Sequence, residues 1–379
     1  MQLSSEDTLR LNVLIANSEA IRIDENNMTV YGLKGESEMK VALNPNGRSD
    51  KYLQLVRELL SGQILGSPGG YPVFLRRWTR MGQINHDDLD KLLMIGEPEA
   101  VVAVTCSRQL TNELARLAWW VAPYAENARA MLTNPAVIDG SMGPVLAEFL
   151  LDYLPFETEQ REMLDTVRLA LQPGLISAER RKKLWDAGRN RKAYRIGFLA
   201  SEPDDLPDKI PARADLISHQ SALVPLASHN PQAALLLKLL DSAGQTFLEV
   251  AADVLQRPVD QDVTVAAINA IGQYFASVRP DTPSPQEIAA IDESVAGLCA
   301  ASDGDLCALL QAAPSLVAEI QAMIFLAHID EAVLTPIFAH TDAIGSVMRK
   351  KLEPVVQPVL QKFAVLRGQQ QSSMGVNLV

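Results

Sequence analysis

The stretch Ala20–Leu43, AIRIDENNMTVYGLKGESEMKVAL, carries the pattern that predicts β-strands in this chain. Apolar and charged side chains alternate in AIRID, and Met39, Val41 and Leu43 recur at a spacing of two. That spacing is typical of strands with one buried face, and the intervening turns are rich in Asp, Asn and Gly. We therefore predict a small N-terminal antiparallel β-meander over residues 20–43.

Helical spacing replaces this alternation from Asp50 onward. The segment DKYLQLVRELLSG places Leu53, Val56 and Leu60 on one face and ends at Gly62. Most of the remaining chain consists of short apolar-periodic segments separated by Gly, Pro or Asn turns, which favour antiparallel helix pairs. We predict a mainly α fold of helical hairpins in a HEAT-like α-solenoid arrangement, although no regular repeat period is present.

Charge is divided unevenly along the 379 residues, which carry a net charge of −12. Residues 201–379 hold 21 acidic and 10 basic residues, whereas residues 1–200 are close to neutral. Between them lies SEPDDLPDKIPARAD, residues 201–215, with three prolines and many charges, a composition typical of linkers. We predict an N-terminal domain over 1–200, a Pro-rich linker over 201–215, an acidic all-helical domain over 216–366 and a flexible tail over 367–379.

The composition is that of a globular protein that works inside the cell. Hydrophobic residues make up 47 %, and no apolar run approaches the roughly 18 residues that a membrane span needs. The opening MQLSSEDTLRLN lacks the basic and apolar pattern of a signal peptide. Three cysteines, Cys106, Cys299 and Cys307, are too few for a disulfide framework. We expect a cytoplasmic protein without membrane insertion.

The common catalytic and nucleotide-binding motifs are missing from the sequence. It contains no P-loop, no G-x-G-x-x-G after a predicted strand, no H-E-x-x-H, no G-x-S-x-G and no C-x-x-C. Cysteines and histidines do not lie at chelating spacings, so we expect neither a metal site nor a cofactor. Cys106 remains a candidate for chemistry, because the charge of nearby Arg108 would favour a reactive thiolate.

A glycine-rich turn leads into a first basic cluster in GSPGGYPVFLRRWTRMGQ, residues 66–83. On a helix that begins near Pro72, the side chains of Phe74, Trp78 and Met81 would form an apolar face. The basic residues on the other side are Arg76, Arg77 and Arg80. They are candidates for a contact surface, and the alternative is that they pair with acidic residues of a neighbouring helix.

A second basic cluster lies in AERRKKLWDAGRNRKAYR, residues 178–195, with eight basic and two acidic residues. Ser177 is the predicted N-cap of a helix whose first turn holds several cations, and these oppose the helix dipole. The candidate binding residues are Arg180, Arg181, Lys182, Lys183, Arg191, Lys192 and Arg195. Two interpretations stay open: a surface that binds RNA or an acidic protein, or a surface neutralised by the acidic second domain.

Six stretches carry a family resemblance that covers most of residues 1–280. They are GSPGGYPVFLRRWTRMGQ, LLMIGEPEAVVAV, AWWVAPYAENARAML, AEFLLDYLPFE, VRLALQPGLIS and RKAYRIGFL. Together they resemble the DsrS family, encoded with the reverse-type dissimilatory sulfite reductase genes of sulfur-oxidising bacteria. The resemblance implies a cytoplasmic accessory protein with a role in expression or maturation of the sulfite reductase system. It supplies no catalytic residues and no cofactor.

These features lead to a main hypothesis and an alternative. The main hypothesis is a non-catalytic accessory protein of the sulfur-oxidation machinery, which acts through contacts with a protein partner or with RNA. The alternative is a cysteine-dependent enzyme or sulfur carrier that uses Cys106.

Overall fold

The computed structural model describes residues 2–66, 86–258, 260–280, 287–300, 304–339 and 345–369. The chain divides into two compact units. The first is Met1–Pro155 with Gln172–Ile176, and the second is Phe156–Leu171 with Ser177–Val379.

The first unit contains a three-stranded antiparallel sheet in the order β1-β2-β3. Its strands are β1 (Ala20–Asp24), β2 (Thr29–Lys34) and β3 (Ser37–Ala42). Ile21 pairs with Gly32, and Val30 pairs with Val41. All three strands lie within residues 20–43, so the predicted β-meander is confirmed.

Eight α-helices accompany the sheet in the described part of the first unit. They are α1 (Ser5–Ala16), α2 (Ser49–Ile64), α3 (His86–Leu92), α4 (Pro98–Thr105), α5 (Asn112–Val121), α6 (Ala125–Met131), α7 (Pro135–Ile138) and α8 (Met142–Tyr153). The N-cap side chains of Ser4, Thr111 and Asn134 accept hydrogen bonds from first-turn N–H groups. These polar side chains fix where α1, α5 and α7 begin.

A buried carboxylate lies where α1 and α2 pack against the sheet. Asp7 and Tyr52 are both 0 % exposed. The Tyr52 hydroxyl donates to Asp7 Oδ2 at 2.5 Å, and the Asn44 N–H donates to the same oxygen at 3.0 Å. The N–H of Ser4 donates to the Tyr52 hydroxyl at 3.2 Å. These bonds offset the cost of burying the carboxylate and connect α1, α2 and the residues after β3.

The described part of the second unit is helical. Its α-helices are α9 (Gln160–Ala170), α10 (Ala178–Ala187), α11 (Lys192–Ser201), α12 (Leu216–Ala227), α13 (Pro231–Leu240), α14 (Ser242–Gln256), α15 (Gln261–Tyr274), α16 (Ile288–Ala300), α17 (Asp305–Ala312), α18 (Val317–Ala327), α19 (Thr335–Phe338) and α20 (Gly345–Leu366). Consecutive helices pack as hairpins, for example α12 with α13 and α13 with α14. Other contacts join helices distant in sequence, such as α11 with α15 and α18 with α20. The mainly α fold with a small N-terminal sheet is therefore confirmed.

No single helix in the described ranges has both the length and the apolar composition of a membrane span. Asp305–Ala312 and Pro314–Ala327 meet that test only as a pair, and the pair is bent by 102°. Within the second of these segments Ile320, Met323 and Phe325 are buried among other side chains of the protein.

Residues 201–215, the predicted linker, lie within the second unit. The Ile210 N–H donates to Thr246 Oγ1 at 2.9 Å, and the Ser242 hydroxyl donates to Ile210 O at 2.6 Å. Both partners belong to α14, so this segment is attached to the helical core. The division between the units falls within residues 155–177, and the predicted domain limits of 1–200 and 216–366 stay a prediction.

Arg213 attaches the end of this segment to two distant helices. Its guanidinium donates to Glu319 at 3.0 Å and to the Leu366 carbonyl at 3.3 Å. A further bond goes to Asp215. Burial alone would lower the pKa of Arg213, but the bonds to the two carboxylates raise it overall. Of the predicted tail, residues 367–369 are described, and there Arg367 pairs with Glu249.

The imidazole of His328 is fully buried after the last turn of α18. Neither ring nitrogen has a hydrogen-bond partner among the described residues. The Arg279 guanidinium donates to the carbonyls of Ala327 at 2.7 Å, Gly272 at 3.3 Å and Ile329 at 3.4 Å. Burial lowers the pKa of His328, and the charge of Arg279 lowers it further.

Tyr52→Phe should lower the free energy of unfolding by about 1–3 kcal/mol, because it leaves the buried Asp7 carboxylate with one donor fewer. Urea denaturation measures this change. The matched control is Tyr31→Phe, at a half-exposed position on β2, which should stay within about 0.5 kcal/mol of wild type. Equal effects of the two substitutions would contradict the role assigned to Asp7.

The stability of the protein should depend on pH through His328. Its pKa is lowered in the folded state, so the folded chain takes up a proton less readily than the unfolded chain, whose histidine has a pKa of about 6.5. The stabilisation is complete above that pH and is lost as the pH falls below it, by at most about 1.4 kcal/mol per pH unit. Urea denaturation at pH 7.5 and 5.0 should show a smaller loss for His328→Phe than for wild type. An equal loss in both would contradict a lowered pKa of His328 in the folded state.

Candidate interaction surfaces

The structure describes the second predicted basic cluster but not the arginines of the first. Arg76, Arg77 and Arg80 lie outside the described residues. The second cluster lies on α10, on α11 and on the turn between them. Ser177 caps α10 as predicted, since its hydroxyl oxygen accepts a hydrogen bond from the Arg180 N–H at 3.2 Å.

Carboxylates of the predicted linker face the second cluster. We call residues 202–208 the acidic segment; its acidic members are Glu202, Asp204, Asp205 and Asp208. Arg181 Nε donates to Glu202 at 2.7 Å, and Arg181 Nη2 lies 3.3 Å from Asp205 Oδ2. The same guanidinium group also donates to the Asp205 carbonyl oxygen. Arg181 is therefore neutralised by a segment that follows it by more than twenty residues.

Trp185 lies at the centre of the cluster and is only 1 % exposed. Its indole N–H donates to Asp208 Oδ2 at 2.8 Å. The guanidinium carbon of Arg195 lies 3.4 Å from the centroid of the indole ring, and the Phe198 ring meets that ring edge-on at 5.0 Å. Burial lowers the pKa of Arg195, and the Asp208 carboxylate partly offsets the shift. Arg195 is thus part of a packed cation–π contact rather than of an exposed binding face.

The other cations of the cluster also have partners. Lys183 pairs with Glu179 at 2.6 Å, and Lys182 lies 3.8 Å from Asp186, both along α10. Lys192 pairs with Asp253 of α14. Arg191 donates to the Tyr194 hydroxyl at 3.0 Å, and Arg180 also interacts with another residue.

The predicted binding residues of the second cluster therefore lie together but are largely paired. Lys182 and Lys183 are exposed, while Arg195 is 9 % exposed. The chain therefore neutralises much of this basic surface itself. The paired carboxylates are Glu179 and Asp186 of α10, Glu202 and Asp205 of the acidic segment, and Asp253, the one contribution among these from the predicted second domain.

A separate groove of about 1090 Å³ lies in the second unit between α9, α11 and α15. Its buried lining is apolar and comprises Leu164, Ile196, Leu199, Val263 and Ala270. Its exposed polar lining comprises Arg161 and Arg168 on α9 and Asp262, Asn269 and Gln273 on α15. Asn269 donates to Glu331 at 3.1 Å. The groove thus combines an apolar base with polar edges of mixed charge.

Tyr274 and Lys238 form one wall of this groove. The Tyr274 hydroxyl is buried and makes no hydrogen bond of normal geometry to the described residues. The Lys238 ammonium lies 4.8 Å from the Tyr274 ring centroid and 2.6 Å from Asp204. Burial raises the pKa of Tyr274, and the nearby Asp204 carboxylate raises it further. The raised pKa keeps this hydroxyl protonated.

The sequence pattern did not single out this groove. Its residues come from three helices that are not consecutive, so no short motif contains them. The detectable signal is the polar series Asp262, Asn269 and Gln273, spaced seven and four apart on α15, which is the period of one helix face.

The cysteines are free thiols in different elements. Cys106 is exposed and is the C-cap residue of α4, while Cys299 lies in α16 and Cys307 in α17. Burial raises the pKa of Cys299. Among the described residues, no group of three or more His, Cys, Asp and Glu side chains is placed to hold a metal ion.

Comparisons with known proteins did not identify a relative of this chain. No protein-family model matches the chain, and no curated protein and no solved structure matches it. The resemblance to the DsrS family therefore stays a prediction.

Arg181→Gln should lower the free energy of unfolding by about 1 kcal/mol, because it leaves Glu202 without its charge-assisted partner in a partly buried site. Its neighbour provides the control: Lys182→Gln removes the same charge from an exposed position and should change stability by less than about 0.5 kcal/mol. Urea denaturation in low and in high salt distinguishes the two. If the two variants were equally stable, the ion pair would contribute nothing.

Proposed function

We propose that this chain is a non-catalytic accessory protein of bacterial sulfur oxidation, cytoplasmic and associated with the reverse-type dissimilatory sulfite reductase system. The family resemblance supports the cellular role. The groove between α9, α11 and α15 supports action by binding, and it is the observation that carries the proposal.

The open shape and the lining of the groove favour a polypeptide partner. Small-molecule sites usually enclose most of the ligand. This groove, of about 1090 Å³, has exposed polar residues along both α9 and α15. An apolar base between polar edges is the arrangement that accepts one face of an amphipathic segment.

Protein contacts are better supported than RNA contacts. Binding to RNA depends on cations that can release counterions from phosphates. In the second cluster Arg181 and Lys192 already pair with carboxylates of the same chain, and Arg195 is packed on Trp185. RNA binding at the second cluster would therefore need these pairs to break.

The role of Cys106 remains the alternative proposal. Its thiol is exposed, which chemistry with a sulfur-containing partner would require. Its position on α4 places it in the first unit, whereas the groove lies in the second. Sulfur transfer through Cys106 would accordingly be a function distinct from binding in the groove.

Ala200→Arg combined with Ala266→Arg should reduce partner capture. Both residues line the groove and neither is fully buried, so two long cations would obstruct it. We expect at least about tenfold less sulfite reductase recovered from a sulfur-oxidising cell extract, which corresponds to about 1.4 kcal/mol of binding free energy. Quantitative mass spectrometry of the captured proteins gives the ratio, and RNA sequencing of the same eluate tests for nucleic acid.

The matched control is Ala234→Arg, an exposed alanine of α13 that does not line the groove. It should capture as much partner as wild type. Recovery of no sulfite reductase component with any variant would contradict the proposed cellular role. Equal recovery with the groove variant and wild type would instead show that another surface binds the partner.

A further inference from the structure

The acidic segment occupies a surface made by three cationic or donor groups. We call Arg181, Trp185 and Arg189 the basic surface. Arg181 contacts Glu202 and Asp205, and the Trp185 N–H contacts Asp208. Arg189 Nη2 lies 3.8 Å from Asp208 Oδ2. Carboxylates of one short segment thus satisfy donors along α10 and the following turn.

Local folding of α10 does not require these cations. Arg180, Arg181 and Lys182 lie in or next to the first turn, where a positive charge opposes the helix dipole by about 0.3–1 kcal/mol at low salt. Glu179 is the acidic residue of that turn. Among these cations Arg181 is compensated from outside the helix, and in this structure the acidic segment supplies its carboxylates.

The acidic segment is held by its contacts rather than by secondary structure. Residues 203–209 form neither helix nor strand. Asp208 has φ = 57°, a left-handed conformation that is uncommon for a residue other than glycine. Leu206, which lies between Asp205 and Asp208 in the sequence, is only 2 % exposed. Asp205 and Asp208 themselves are exposed. The segment therefore combines an apolar anchor with carboxylates that remain accessible to solvent.

We propose that the acidic segment is an internal competitor, and that the basic surface binds an extended acidic segment of a partner protein once residues 202–208 are displaced. The sequence pattern expected in the partner is that of the acidic segment itself, E-x-x-D-L-x-D, in which carboxylates flank a leucine. Arg181, Trp185 and Arg189 do not line the groove, so the inference goes beyond the function proposed above.

Covalent attachment makes the internal segment a strong competitor. A tethered ligand on a short connection acts at an effective concentration on the order of 1 mM. A free acidic peptide at micromolar concentration would therefore bind the wild-type chain weakly, even if its intrinsic affinity were good. Weakening the internal contacts should reveal that affinity.

The test uses Glu202→Gln combined with Asp205→Asn in the full chain. These changes keep side-chain size and remove both carboxylates from Arg181, while its bond to the carbonyl oxygen of residue 205 and the bond from Trp185 to Asp208 remain. The probe is a fluorescent synthetic peptide with the sequence of residues 201–209, SEPDDLPDK. In fluorescence anisotropy at 50 mM salt, the double variant should bind it at least about tenfold more tightly than wild type does. Adding Arg181→Gln should remove the gain.

A chemically matched control separates this effect from a general change in net charge. Glu249→Gln with Asp292→Asn makes the same two substitutions in the same unit and releases Arg367 and Lys362 instead. It should bind the peptide as weakly as wild type. If the double variant bound no more tightly than this control, the proposal would be overturned. Tighter binding of a 20-residue oligo-uridylate than of the peptide would overturn it as well, because the ligand would then be a nucleic acid.

A second measurement uses the wild-type chain and does not depend on how the variants fold. Hydrogen exchange is followed with and without a large excess of the unlabelled peptide. Displacement predicts faster exchange of the amides in residues 202–208, whereas amides of α13 stay unchanged. Unchanged exchange in residues 202–208 at millimolar peptide would show that the segment is a fixed part of the core.

Discussion

The second unit depends on one largely buried cation, Arg213. Its side chain is only 10 % exposed and donates to Asp215 and Glu319 and to the carbonyl oxygen of Leu366. These partners belong to the start of α12, to α18 and to the end of α20, so a single guanidinium joins elements more than one hundred residues apart. A buried carboxylate such as Glu319 would be costly without this cation. The path of residues 201–215 is therefore fixed by Arg213 as well as by the acidic residues that precede it.

The sequence predicted those features that depend on neighbours along the chain. The β-meander follows from the period of two in residues 20–43, and the start of α10 follows from Ser177, whose hydroxyl can cap only a nearby N–H. Residues 201–215 show the limit of such reasoning. Three prolines and many charges are typical of linkers, but burial of Leu206 and the contacts of Arg213 attach this segment to the helical core. The amino-acid composition of a segment reflects its low helix propensity. It does not reveal which residues distant in sequence the segment contacts.

For the same reason, the pairing of the charged residues and the geometry of the groove could be predicted only in part from the sequence. The sequence shows the excess of cations in residues 178–195 and leaves open their neutralisation by the acidic second domain. Which carboxylates pair with them depends on the three-dimensional path between α11 and α12, and that path brings Glu202 to Arg181. The groove needs α9, α11 and α15 together, and the contact of α11 with α15 spans many intervening residues. A helix face on α15 was detectable, but its neighbours across the groove were not.

The acidic segment borders both surfaces that we propose as binding sites. Pro203 lines the groove, and Asp204 holds Lys238 beside Tyr274. Glu202 and Asp205, immediately next to them, hold Arg181 on the other surface. A ligand that displaced the segment from Arg181 would also disturb the wall of the groove, so the two proposed binding events would share a free energy of coupling. Such coupling is reciprocal. Occupation of the groove would change the affinity of the basic surface by the same factor by which occupation of the basic surface changes that of the groove. The sign of this coupling free energy depends on whether the groove ligand binds better when Lys238 is paired with Asp204 or when it is released from Asp204.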